Sequence, residues 1–236
     1  MKAAETIQTK HLTFIGPTTG IMGLFHGSWW YYFLIIPFFV FRGSPVGFYY
    51  AVLGMHFIAL ILFTVFIHKK IGFLPSILFL GIVSVSPYFT KISIFAGNNT
   101  LTPIVILFFL FALYQFFQTK KNLYVFLTAL SLGFVLETQL SFGILLIPSF
   151  LIIACIFSEI RSTMKHARSI IFFLCGLIIA SIPRILFELK NHFLQTKTLI
   201  QFFHNPTSTN PQSLQGVIID RFRFFQSYFL GIFYDY

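Results

Sequence analysis

Long apolar runs separated by short polar connections dominate the chain. Residues 46–67 carry no formal charge over 22 positions, enough to cross a hydrocarbon core of about 30 Å at about 1.5 Å per residue. Residues 72–90, 101–118, 123–136, 138–157 and 169–183 repeat the pattern, which predicts about six helical spans. They must be helices, because lipid offers the backbone no hydrogen-bond partners. Residues 123–136 and 169–183 are short, so they need a thinned or protein-lined environment or flanking residues such as Phe187. The run 29–41 is shorter still and is interrupted by Pro37. It opens with Trp29, Trp30, Tyr31 and Tyr32, aromatics suited to a membrane–water interface, so it is expected to lie flat as a juxtamembrane helix. Residues 205–213, with two Asn-Pro steps, read as a loop. Residues 216–234 mix Asp220, Arg221 and Arg223 with Phe and Ile, as in an amphipathic surface helix. The expected fold is therefore all-α and polytopic: an extracytoplasmic loop and juxtamembrane helix over 1–45, a six-span core over 46–187, and a second external loop with an amphipathic helix over 188–236.

The connections give the orientation. Every second one is basic: 68–72 with Lys69 and Lys70, 119–122 with Lys120 and Lys121, and 158–168 with Arg161, Lys165 and Arg168. The positive-inside rule makes these loops cytoplasmic, in an integral protein of a bacterial plasma membrane. Composition changes this picture little. Hydrophobic residues make up 57% and charged residues only 9%, far below the quarter or so of a soluble domain. A net charge of +10 would suggest nucleic acid in a soluble protein. Here the basic residues sit at segment ends, so they read as topology signals with an attraction to anionic head groups, and no nucleic acid is expected. Cys155 and Cys175 lie inside apolar segments without metal-ligand spacing and read as small buried hydrophobes. No metal or cofactor is expected.

The intervening connections carry the candidate chemistry. His26 and Tyr31, in Phe25-His26-Gly27-Ser28-Trp29-Trp30-Tyr31-Tyr32, are suited to a sugar or lipid head group; the plainer reading is an interfacial belt with Ser28 as a helix cap. Lys91 can pair with a lipid phosphate. Asn98 and Asn99 either bind substrate or cap the next helix. Glu137-Thr138-Gln139 places a carboxylate near the membrane, where it is functional, paired, or solvated in a tight turn. Arg184, Glu188 and His192 share a helical face if the stretch is helical, as an ion-pair ladder; the alternative is an anion site with Arg184 or Lys190 binding a phosphate.

Taken in order, these clusters resemble the polyprenyl-phosphate-dependent, multi-spanning glycosyltransferases of the C-type fold. Within that group the chain is most like the dolichyl-phosphate-mannose–protein mannosyltransferase and aminoarabinose-transferase relatives of bacteria. The resemblance runs from about Leu12 to Phe203. It rests on the His26–Tyr32 cluster, Gly43-Ser44-Pro45, Lys69-Lys70-Ile71-Gly72, Ser86-Pro87, Asn98 and Asn99 before Pro103, Gln139-Leu140-Ser141-Phe142, and Phe187-Glu188-Leu189. It implies transfer of a sugar, with inversion, from a polyprenyl-phosphate donor to a glycan, lipid or protein acceptor outside the cytoplasm. An external carboxylate acts as general base and basic groups hold the leaving phosphate. His26, Tyr31, Lys91, Asn98, Asn99, Gln139, Arg184, Glu188 and His192 are then the expected substrate-binding residues. The departures concern catalysis. The family's acid, usually Asp, follows a first transmembrane helix; this chain has no such helix before Leu12 and no Asp before Asp220. Glu5 is the one early candidate. Many relatives carry Asp where Asn99 stands, Arg where Ile94 and Gly97 stand, and Gln-Leu-His where this chain has Gln139-Leu140-Ser141. The chain is thus expected to be a fragment that lacks its catalytic acid. The alternative class is a flippase-like lipid or oligosaccharide transporter, without catalysis.

Overall fold

The computed structural model describes residues 12–95 and 97–204, together with 216, 219–220, 222–224 and 226–227. Glu5, the 205–213 loop and most of the 216–234 segment lie outside the described residues. The chain opens with a small antiparallel hairpin, β1 (Ile15–Thr18) and β2 (Phe25–Gly27), with Ile15 opposite Gly27 and Thr18 opposite Phe25. All other elements among the described residues are helical. They are α1 (Trp29–Val40), α2 (Pro45–Lys70), α3 (Phe73–Val85), α4 (Pro87–Ile94), a 3-10 turn (Asn98–Thr100), α5 (Leu101–Thr119), α6 (Asn122–Thr138), α7 (Leu140–Ile156), α8 (Ser158–Thr163), α9 (Ala167–Lys190) and α10 (Leu194–His204).

Helix length supports fewer crossings than the apolar runs suggested. Three helices, α2, α5 with its 3-10 turn, and α9, are long and apolar enough to span a membrane; a fourth span results if α3 and α4, bent by 67°, count together. Helices α6 and α7 have 17 residues each and α1 has 12, so six full spans are not reached by length. The bend between α3 and α4 has a local cause. Pro87 cannot donate to the preceding turn, and the Ser86 hydroxyl instead accepts from Phe89 N–H at 3.3 Å, starting a new helix. Conversely, α9 is longer than its expected span, running 24 residues through Pro183 to Lys190.

The short α6 is tolerable because protein surrounds it. Val125, Ala129, Leu132, Gly133 and Val135 are all buried. A core of Phe109, Leu113, Phe116, Val125, Leu132, Phe150 and Ile160 joins α5, α6, α7 and α8. A smaller cluster of Trp30, Leu34, Phe48 and Val52 seats α1 against α2. Outward faces are apolar instead of polar, with Leu62, Leu74, Leu145 and Ile171 exposed, as expected of helices solvated by lipid. Cys155 and Cys175 belong to those outward faces, contrary to the expectation of burial: both are exposed free thiols. In lipid a thiol needs no burial in protein, since the surroundings are already apolar.

The tightest packing joins α6 to α9, which run parallel. The residues that meet, Asn122 with Ser169, Ala129 with Gly176, Gly133 with Ala180 and Glu137 with Arg184, are each 47 positions apart. Small residues make this possible. A methyl on Gly176 would come within 2.5 Å of Phe126 O and 2.8 Å of Leu130 N, and one on Gly133 within 2.5 Å of the Ala180 methyl. Without a hydrophobic drive between helices in lipid, such close backbone approach is what holds a pair together. Gly176→Val is therefore expected to destabilise the protein by about 1–3 kcal/mol or more, because backbone atoms cannot step aside. Gly81→Ala on α3, where an added methyl meets nothing within 4 Å, should leave thermal stability in detergent unchanged or slightly raised.

Candidate functional site

At the end of the α6–α9 pair remote from Asn122 and Ser169, a charge pair closes the interface. Arg184 Nε donates to Glu137 Oε1 at 2.7 Å, with the Glu137 side chain only 1% exposed. Glu137 is thus neither solvated nor free. The hairpin rests directly on it: a methyl at Gly27 would run into the Glu137 carboxylate and Cβ. No other residue allows the strand this close. Arg184 also donates through Nη1 to Gln195 Oε1 at 3.3 Å, and that same oxygen accepts from Phe25 N–H at 3.0 Å. Trp29 Nε1 donates to Ala180 O at 2.6 Å while its ring meets Phe134 edge-on. Hairpin, α1 and α10 are in this way fixed to the ends of α6 and α9.

Above that floor lies a cavity of about 580 Å³. His26 from β2, Asn98 and Asn99 from the 3-10 turn, and Gln139 and Ser141 from the α6–α7 junction supply its polar wall, with Thr19 from the hairpin turn. Leu140, Ile144, Leu199 and Phe202 supply its apolar wall. Four of the substrate-binding candidates therefore converge although they come from three separate stretches of chain. The asparagines do not cap α5. Asn98 Nδ2 donates instead to Thr138 O at 2.7 Å, and Thr102 Oγ1 donates to Thr138 Oγ1 at 3.1 Å. Those bonds tie the 3-10 turn to the C-terminus of α6 and leave Asn99 at the cavity. Ser28 likewise makes no side-chain cap to α1.

The remaining candidates fall elsewhere. Tyr31 packs against the α1–α2 cluster, and Lys91 is exposed on α4. Glu188 is committed to α10: its carboxylate accepts from Gln195 N–H and Thr196 N–H, each at 3.0 Å, and from Thr196 Oγ1 at 2.6 Å. His192 sits past the end of α9 in a turn with φ +52°, exposed. The Arg184–Glu188–His192 ladder does not form, because Arg184 turns to Glu137 and the helix ends before His192. Gln195 and His56 are the polar residues that sequence reasoning passed over. Gln195, 3% exposed, bridges hairpin and Arg184; nothing in its local sequence signals this. His56, buried in α2, bonds through Nδ1 with Val52 O at 2.9 Å and meets the Phe89 ring. A lone His within a 22-residue apolar run was the available signal. Among the described residues no group of His, Cys, Asp and Glu could hold a metal ion.

Comparison with known protein families, characterised proteins and solved structures finds no match for this chain.

Two outcomes are expected. Removing one partner of the buried charge pair strands the other: Glu137→Ala or Arg184→Leu should each cost about 3–5 kcal/mol, and the double variant should cost much less than their sum. Denaturation of the purified chain in detergent measures this. Burial first, then the positive charge of Arg184, lowers the pKa of His26. The unfolded chain therefore binds a proton that the folded one resists. Stability is full above the unfolded-state pKa and falls as pH drops through it toward the folded-state value. Thermal melts between about pH 7.5 and about pH 5.5 should show this loss, and His26→Gln should flatten it.

Proposed function

We propose that this chain belongs to a membrane glycosyltransferase that takes a sugar from a polyprenyl-phosphate carrier and passes it, with inversion, to an acceptor outside the cytoplasm. In this reading α2, α3 with α4, α5, α6, α7 and α9 are six passes of a C-type-fold core in a bacterial plasma membrane. The observation that carries the proposal is the cavity where His26, Asn98, Asn99 and Gln139 converge. Amides present donors and acceptors together, which is what a ring of sugar hydroxyls requires.

The surroundings of Gln139 support a lipid-linked ligand. Gln139 also borders a second cavity of about 300 Å³ beside Pro103 and Phe142. Leu107 of that cavity in turn borders a groove of about 530 Å³ between α2 and α5, lined by Leu62, Phe66, Phe111 and other apolar side chains. A polar head site thus adjoins an apolar path suited to an isoprenoid tail. Among the described residues, the two carboxylates beside this region are already engaged, Glu137 by Arg184 and Glu188 by the start of α10. The proposed mechanism therefore takes its general base from elsewhere, and no described residue is assigned that role. The Glu137–Arg184 pair is spent on joining α6 to α9, so it adds no support to the transporter alternative.

Binding of a labelled polyprenyl-phosphate sugar to the purified protein tests the proposal. Asn99→Ala and Gln139→Ala should each weaken it several-fold to about tenfold, the effect of losing one or two hydrogen bonds. Equal affinity for polyprenyl phosphate without its sugar, unchanged by either substitution, would overturn it.

A further inference from the structure

The basic end of the α6–α9 pair holds a separate cavity of about 440 Å³ that the proposed activity does not use. Lys120, His166 and Arg168 line it together with Asn122, Ser162 and Ser169. We propose that this cavity binds the phosphate head group of an anionic phospholipid. The proposal is independent of the glycosyltransferase reading, since it concerns the opposite end of the molecule.

Geometry presents the cations together. Lys120, in left-handed backbone at φ +54°, ends α5 and turns the chain into α6. Arg168 projects from the first turn of α9, its guanidinium 5.9 Å from the centre of the Phe172 ring. The Ser169 hydroxyl donates to Asn122 Oδ1 at 2.8 Å, so the two helix starts are fixed side by side under the cavity. Two cationic side chains and an imidazole facing one concave space have the donor set for a phosphate. Because α6 and α9 are parallel, both also begin here, which places the positive ends of their dipoles on the same side as the cations. That adds to the repulsion an anion would relieve.

The rim selects a lipid over a free ion. Leu123 directly follows Asn122 and is 55% exposed; Ile170 and Ile171 directly follow Ser169 and are 40% and 58% exposed. An anion held at the cavity has apolar helix surface immediately beneath it, where acyl chains can lie. Basic pockets at helix ends on the positive side of a membrane are suited to such head groups.

The test uses the full chain in detergent, with phosphatidylglycerol as probe and phosphatidylcholine as the neutral control, and retained lipid is read by native mass spectrometry. The expected result is preferential retention of phosphatidylglycerol. It should fall on the order of tenfold in Lys120→Gln/His166→Gln/Arg168→Gln and stay unchanged in Lys69→Gln/Lys70→Gln, which alters a different basic connection. An unchanged melting temperature of the triple variant shows that the loss is local. If the triple variant melts lower, single Arg168→Gln and Lys120→Gln variants with wild-type melting serve instead. Equal retention of both lipids, or equal loss in both multiple variants, overturns the proposal. Displacement of the lipid by millimolar inorganic phosphate also overturns it, in favour of a free-phosphate site.

Discussion

The parallel contact between α6 and α9 is the constraint on which the rest of the structure depends. Parallel neighbours cannot be joined by a short turn, so the chain must cross back once between them, through α7 and α8. That return wraps apolar surface around α6 and makes a 17-residue helix viable in a membrane. The contact itself is stripped of large side chains: Ala129, Gly133, Gly176 and Ala180 bring the backbones together on successive turns. Van der Waals contact at that distance, and not hydrophobic burial, is what lipid leaves available for helix association.

The same contact sets the polar chemistry. Helix C-termini disfavour negative charge, yet Glu137 lies in the last turn of α6. Arg184, one step from it across a fixed register, neutralises the carboxylate and becomes the anchor to which Gln195, the hairpin and α10 attach. The cavity of His26, Asn98, Asn99 and Gln139 stands on this anchor. Its residues are far apart in sequence and reach one space only because the hairpin can approach Glu137 as closely as Gly27 allows.

Hydropathy and charge made much of this legible. The apolar runs and basic connections identified helices and their ends, and the polar connections held the residues that line the cavity. What they could not reveal was who pairs with whom. Arg184, Glu188 and His192 at four-residue spacing read as a ladder, but a partner on another helix outcompeted the local one, and Glu188 found backbone donors in α10. The β1–β2 hairpin was missed because Ile15-Gly16-Pro17-Thr18 carries no alternating pattern, and its pairing depends on contacts with α6. Equally hidden was the small-residue seam. Ala129 and Gly133, or Gly176 and Ala180, look like ordinary members of apolar runs until both helices are seen at the same register.

Parallel packing also imposes an asymmetry between the two ends. Two parallel macrodipoles reinforce each other, positive where α6 and α9 begin and negative where they end. The sequence places a compensating pair, Arg184 with Glu137, at the negative end. At the positive end it places more positive charge, Lys120 and Arg168, which helix electrostatics alone would disfavour. The positive-inside pattern expected from the sequence offers a reason, since basic connections favour the cytoplasmic side of a membrane. The two demands conflict within one small volume. An anion at the cavity, as proposed above, relieves that conflict, and the apolar helix faces beside the cavity favour one carried by the membrane.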